Sequence, residues 1–128
     1  MRSALFAFAT PSARVGSIGV LMPMLDESKA FEQAGLKVEL FAAGKYKSIG
    51  AAGVSLTDEQ RMWLQGQVDE IYADFKAAVL ARGRRITPDV MEGQCFSGRK
   101  ASYHSLTSGV VGSRAEALMK LRERHVAD

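Results

Sequence analysis

Two rhythms of apolar and polar positions run along this chain, one of period two and one near 3.6, and they alternate. "ALFAFA" (4–9) and "SIGVLMPM" (17–24) are short apolar runs of the kind a buried strand shows. "LKVELFA" (36–42) alternates, with Leu36, Val38 and Leu40 on one side and Lys37, Glu39 and Phe41 on the other, which predicts another strand. Between these runs, "DESKAFEQAG" reads as a helix opened by Asp26 and closed by Gly35. The clearest signal is "SLTDEQRMWLQGQVDEIYADFKAAVLARG" (55–83). There Thr57 and Gln60 form a capping box, Asp58 and Glu59 complement the positive helix end, and Gly83 supplies a stop. Leu64, Val68, Ile71, Phe75 and Val79 fall on one face at steps of three and four, predicting a long amphipathic helix. Thr87 and Pro88 start a short helix, "QCFSG" reads as a brief strand and turn, and Ser113 with Glu116 opens a last helix. Strands alternating with helices predict an α/β fold in a single domain, 1–128.

Composition narrows the class. A chain of 128 residues, 47% hydrophobic and 24% charged, is long enough to bury a core and to fold as one soluble domain. "MRSALFAFATPSA" imitates a signal peptide, but its apolar run is too short for that role and we read it as a strand. No stretch approaches the roughly 20 apolar residues of a membrane-spanning helix. The single cysteine, Cys95, excludes an intramolecular disulfide framework and fits a reducing, cytoplasmic compartment. It lies in a strand-like run, where a small buried role is expected rather than a nucleophilic one. No Cys/His cluster has zinc-site spacing. The net charge of +3 permits acidic partners without requiring nucleic acid. "ARGRR" (81–85) and "KLRERH" (120–125) are basic but carry no interleaved aromatic residue, so we expect solvated helix ends there. Trp63 and the methionines read as core or interface residues.

The segment "AAGKYKSIGAAG" (42–53) sets Lys45 and Lys47 among glycine and alanine directly after a predicted strand. A phosphate loop needs Gly, four residues, then Gly-Lys-Ser/Thr; here Gly44-Lys45 precedes Tyr46 and Gly50 precedes Ala51, which excludes it. Composition alone makes both residues ordinary solvated lysines.

Four blocks taken in order say more. "TPSARVGSIGV", "GLKVELFAAGKYKSIG", "LTDEQRMWLQGQVDEIYADF" and "GQCFSGRKA" resemble, in register, the C-terminal part of the signal peptide peptidase A family, from about Ala9 to Val111. That family includes bacterial membrane-associated peptidases and phage head-maturation proteases, which use a serine and a lysine on the ClpP/crotonase fold. The resemblance implies that Lys47 matches the general-base lysine of the family's Gly-x-x-Lys element, Lys45 being the solvated one. It also implies that Ser17, in "GSIGV", orients the lysine amine. "FSGRKA" matches a structural Phe-x-Gly-x-x-Ala element. In "ASYHSLTSG", around His104, Ser102 and Ser105 replace the leucine and glycine of the family's usual Ala-Leu-x-x-Gly-Leu pattern, which implies relaxed constraint or a different partner surface there.

For such a lysine to act as a base it must lose its proton. A free amine has a pKa of about 10.4, and complete burial lowers it by up to roughly 3 to 5 units. We therefore expect Lys47 to be desolvated among Ile49, Gly50, Ala51 and Ala52. In the family the nucleophilic serine precedes the Thr-Pro-Ser block. Met1 stands just short of it, Ser3 is a poor substitute, and the nucleophile and oxyanion donors are expected to be absent from this chain. Three readings stay open: an inert truncated product; half of a split peptidase with a serine-bearing partner chain; and a non-catalytic assembly module. The implied substrate is a protein or peptide, no metal or organic cofactor is implied, and the resemblance implies a homo-oligomer.

Overall fold

The computed structural model describes residues 6–82 and 85–125. Short strands and helices follow one another: β1 (Phe8–Ala9), β2 (Arg14–Gly16), α1 (Ser28–Gln33), α2 (Asp58–Leu80), a 3-10 turn (Pro88–Val90), β3 (Cys95–Ser97), α3 (Gly98–Tyr103), β4 (Gly109–Val110) and α4 (Arg114–His125). The chain divides into two compact units, one of Met1–Val20 with Tyr72–Asp128 and one of Leu21–Ile71, the boundary falling within α2.

The first unit carries two small sheets. β2 and β3 are antiparallel, with Val15 opposite Phe96, and β1 and β4 are parallel, with Phe8 opposite Gly109. Beneath them Ile18, Ile86, Val90, Met91, Ala101 and Leu106 form one apolar cluster, with Val15, Val79 and Phe96 packed around it. Met91 and Ala101 are fully buried. The "FSGRKA" element explains how α3 enters this core. Ser97 caps the helix, accepting the Lys100 N–H at 3.3 Å, and Gly98 follows with its Cα against the Thr10 backbone. A β-carbon on Gly98 would lie 1.9 Å from the Thr10 carbonyl oxygen, so only glycine fits. At its far end α3 closes through the Leu106 N–H to the Ala101 carbonyl, 2.8 Å, and the Ser105 N–H to that of Ser102, 3.0 Å. This leaves Ser105 at φ 62°, the left-handed position where glycine is usual.

The second unit holds α1 and the N-terminal turns of α2. The predicted stop of α1 is met, the Leu36 N–H returning to the Phe31 carbonyl around Gly35 at φ 71°. Its cap, however, is Glu27, whose side chain makes no capping bond, and Asp26 instead accepts the Ser28 N–H at 3.0 Å from one residue before the cap. Two predicted strands are not there. β2 ends at Gly16 before "SIGVLMPM", and 36–42 forms no strand. Alternation makes a strand only when a neighbour takes its N–H and C=O groups, and among the described residues none pairs with 36–42. Phe41 is accordingly 92% exposed, and Leu36, Val38 and Leu40 stand in solvent beside it.

α2 spans the predicted length, and both halves of its capping box form: the Gln60 N–H donates to Thr57 Oγ1 at 3.2 Å and the Thr57 N–H to Gln60 Oε1 at 3.1 Å. Its apolar face is unevenly covered, Leu64, Val68 and Val79 half-buried, Ile71 and Phe75 exposed. At α4 the box is modified. The Glu116 N–H donates to Ser113 Oγ, but the Glu116 carboxylate accepts from Gly112, one residue further back. Cys95 is exposed, not buried as its strand setting suggested, because among the described residues nothing covers the face of β3 that it shares with Ser97. Ser3, Gly83, Arg84 and the first two residues of "ALFAFA" lie outside the described residues.

Candidate functional site

The lysine segment is a coil of successive tight turns. N–H groups of Lys47, Ile49, Ala51 and Val54 donate to the carbonyls of Gly44, Tyr46, Ser48 and Ala51, at 3.0 to 3.2 Å. Such a coil has no ladder or long helix to stiffen it, so its placement depends on side chains at its two ends. At the far end the Ser55 hydroxyl donates to Asp26 at 2.8 Å and lies 2.8 Å from Ser28 Oγ. Hydrogen bonds from Ser28, then from Ser55, hold the Asp26 carboxyl down at about 2. At the near end stands Gln60, 4% exposed, whose side-chain amide donates to the Lys45 carbonyl at 2.7 Å and to Ser48 Oγ at 3.0 Å.

The two lysines have different surroundings. The Lys45 amine is ion-paired with Glu59 and lies 5.0 Å from the centre of the Tyr46 ring, and the Tyr46 hydroxyl donates to the same carboxylate at 3.3 Å. The hydrogen bond to Glu59 raises the Lys45 pKa, and the same bond lowers that of Glu59. Tyr46 stacks on Trp63 of α2 with ring centres 5.2 Å apart. Lys45 and Tyr46 are thus tied to α2, whereas the Lys47 amine has no hydrogen-bond or ion-pair partner among the described residues. Lys47 is exposed. The desolvated setting expected for it is not met within this chain, because Gly50 and Ala52 are themselves exposed and Ile49 and Ala51 only half-covered.

Ser17 belongs to the first unit and Lys47 to the second. Ser17 sits where β2 ends in two consecutive residues of positive φ, Gly16 at 128° and Ser17 at 54°. The turn is pinned by the Ser17 N–H to the Gln94 carbonyl, 2.8 Å, and a β-carbon at Gly16 would lie 2.4 Å from that oxygen. A serine held in the left-handed region costs about 1–2 kcal/mol, and such strain clusters at functional positions. The Ser17 side chain is exposed. His104 packs against the rings of Phe96 and Tyr103, at 4.8 and 5.3 Å, a structural use of that residue. Among the described residues no group of three or more His, Cys, Asp or Glu side chains is arranged to hold a metal ion, and no helix is long and apolar enough to cross a membrane.

Gln60 is the site residue that sequence reasoning missed. Its place in the capping box explained one end of its side chain, and nothing in the spacing showed that the other end reaches back 15 residues to the lysine coil.

A family model described as peptidase family S49 matches residues 4–126. The chain is 34% identical over 113 residues to a protein of Methanocaldococcus jannaschii named "Putative protease MJ0651", covering 85% of this chain and 36% of that protein. It is 29% identical over 117 residues to the "Capsid assembly protease C" of Escherichia phage lambda, covering 89% of this chain and 26% of that one. The chain therefore spans roughly a third and a quarter of these relatives' lengths.

Proposed function

The chain belongs to peptidase family S49, and from that premise we propose that it is the lysine-bearing part of a serine peptidase that hydrolyses peptide bonds through a Ser/Lys dyad. Lys47 is the general base in this reading, Ser17 orients its amine, and a segment outside these residues or a partner chain supplies the nucleophilic serine. The serine oxygen attacks the peptide carbonyl while neutral Lys47 accepts its proton. Lys47 then passes that proton to the leaving amine, and an ester between serine and the acyl half of the substrate remains. In the second half Lys47 takes a proton from water as the water oxygen attacks the ester carbonyl, and it returns that proton to the serine oxygen as the acid product leaves, which restores both groups. No metal or organic cofactor enters these steps. In this reading the active particle, a homo-oligomer or a split enzyme, works in the cytoplasm, either free or associated with a membrane surface as in the membrane-associated members of the family.

One observation carries the assignment: of two lysines two residues apart, Lys45 is engaged by Glu59 and Lys47 is left unpaired on an anchored coil. A base must be free of a carboxylate that would hold its proton, and Lys47 meets that condition. Lys47 is exposed in this chain, and in this reading its cover comes with the segment or chain that brings the serine.

The large exposed apolar surface of the second unit favours a second reading, a non-catalytic assembly module. The phage relative's name makes a split capsid-maturation protease a form of the first.

The test is peptide hydrolysis by the chain assembled with a serine-bearing segment, sought first in the DNA upstream of the Met1 codon. Lys47→Ala is expected to lower kcat by about a thousandfold or more, and Lys45→Ala to keep most of it. Equal effects of the two substitutions would overturn the assignment.

A further inference from the structure

We infer that Gln60 is a positioning residue for Lys47, acting through the backbone of the lysine coil; this rests on the reading of Lys47 as the base. Three hydrogen bonds engage the buried amide, and both of its N–H donors are used. Its oxygen accepts the Thr57 N–H, and its nitrogen donates to the Lys45 carbonyl and to Ser48 Oγ. The orientation of the amide is fixed by chemistry, since an N–H can only donate and a carbonyl can only accept. Lys45 lies two residues before Lys47 and Ser48 one residue after it, so both sides of Lys47 are fastened to the same side chain. That side chain is itself locked to the first turn of α2 by the capping box. The helix start therefore serves as a rigid mount, and the glutamine converts the position of a 23-residue helix into the position of one loop lysine. A catalytic group needs placement of this kind, because an error of about 1 Å in a reacting group costs on the order of a hundredfold in rate.

The discriminating variant is Gln60→Glu. A glutamate there still accepts from the Thr57 N–H and suits the positive end of the helix, so the cap survives. Both donors to the coil are lost, and a carboxylate is set against the Lys45 carbonyl.

Amide exchange of the full chain, followed by NMR, gives the first readout. The N–H groups of Lys47 and Ala51 are expected to exchange about tenfold faster in the variant, while the Arg61 N–H, bonded to the Thr57 carbonyl at 3.0 Å, is unchanged. Unchanged exchange in the coil overturns the inference. Peptide hydrolysis in the assembled enzyme gives the second: kcat falls about ten- to a hundredfold with KM unchanged. If Lys47→Ala retains activity, the reading of Lys47 fails whatever Gln60→Glu does. If Lys47→Ala is inactive while Gln60→Glu keeps its full kcat, the reading stands and the positioning role is refuted. Ser48→Ala, which removes one of the two acceptors and leaves the cap untouched, carries both readouts with smaller effects should Gln60→Glu fail to fold.

Discussion

The two units of this chain are held together by different means. The first closes over an apolar cluster in which Met91 and Ala101 are fully buried, with β-strands and α3 fitted around it. In the second, Leu21–Ile71, the one buried residue is a glutamine, and the side chains that would ordinarily make a core lie outside. Leu21, Leu25 and Phe41 are each more than four-fifths exposed. Burial of apolar area is the main source of folding free energy, so the first unit has its own reason to be folded. The second is organised by hydrogen bonds among Gln60, the lysine coil, Ser55 and Asp26, which fix local geometry but contribute little net stability. A candidate base is therefore held in a well-defined loop within a unit whose apolar side still lacks a cover.

The sharpest way to break the comparison is to truncate one large apolar residue in each unit. Met91→Ala removes a fully buried side chain and is expected to cost about 2–5 kcal/mol, whereas Phe41→Ala, at 92% exposure, stays within about 0.5 kcal/mol. Urea denaturation of the two variants measures both. A large cost for Phe41→Ala would show that residues 36–42 are covered in solution, as by self-association.

Smaller effects come from the two serines held at positive φ. Ser105→Gly relieves strain at the end of α3 and is expected to stabilise the chain by about 0.5–1 kcal/mol, the gain in backbone comfort exceeding the added freedom of the unfolded chain. Ser17→Gly should stabilise similarly, yet lower kcat in the assembled enzyme because the hydroxyl is gone. If both substitutions leave activity alike, Ser17 has only a turn-forming role.

The smallest effect concerns the ion pair that ties Lys45 to α2. Glu59 has its pKa lowered, so its contribution is complete above its unfolded value of about 4.3 and lost as pH falls through the folded one. Lys45 has its pKa raised, so its contribution is complete below about 10.4 and lost as pH rises through the folded one. Trp63, the only tryptophan, stacks on Tyr46 beside this pair and reports it by fluorescence. The signal is expected to stay level between those limits and to shift at either end, with Glu59→Gln removing the acid-side change. Salt should weaken the response, since both partners are exposed.

Local features were legible because their determinants lie within a few residues of one another. The capping box at Thr57 and Gln60, the stop of α1, the brief strand at "QCF" and the order of the four family blocks could all be read directly. The glycine missing from the Ala-Leu-x-x-Gly-Leu pattern also had a local meaning, which the φ of Ser105 makes explicit. Alternation at 36–42 and the apolar run at 17–24 misled, because a strand is a property of a pair and periodicity describes only one member.

What the sequence determined by itself was the long helix α2 with its capping box, the family, and Lys47 as the lysine to test, since each follows from short-range hydrogen bonding or from a linear motif. Tertiary structure alone decided three things: that Lys45 is consumed by Glu59, that Lys47 stands uncovered, and that Gln60 reaches back to hold the coil. Pairing, burial and a hydrogen bond across 15 residues depend on which surfaces meet in space, and the order of residues along a chain does not state that.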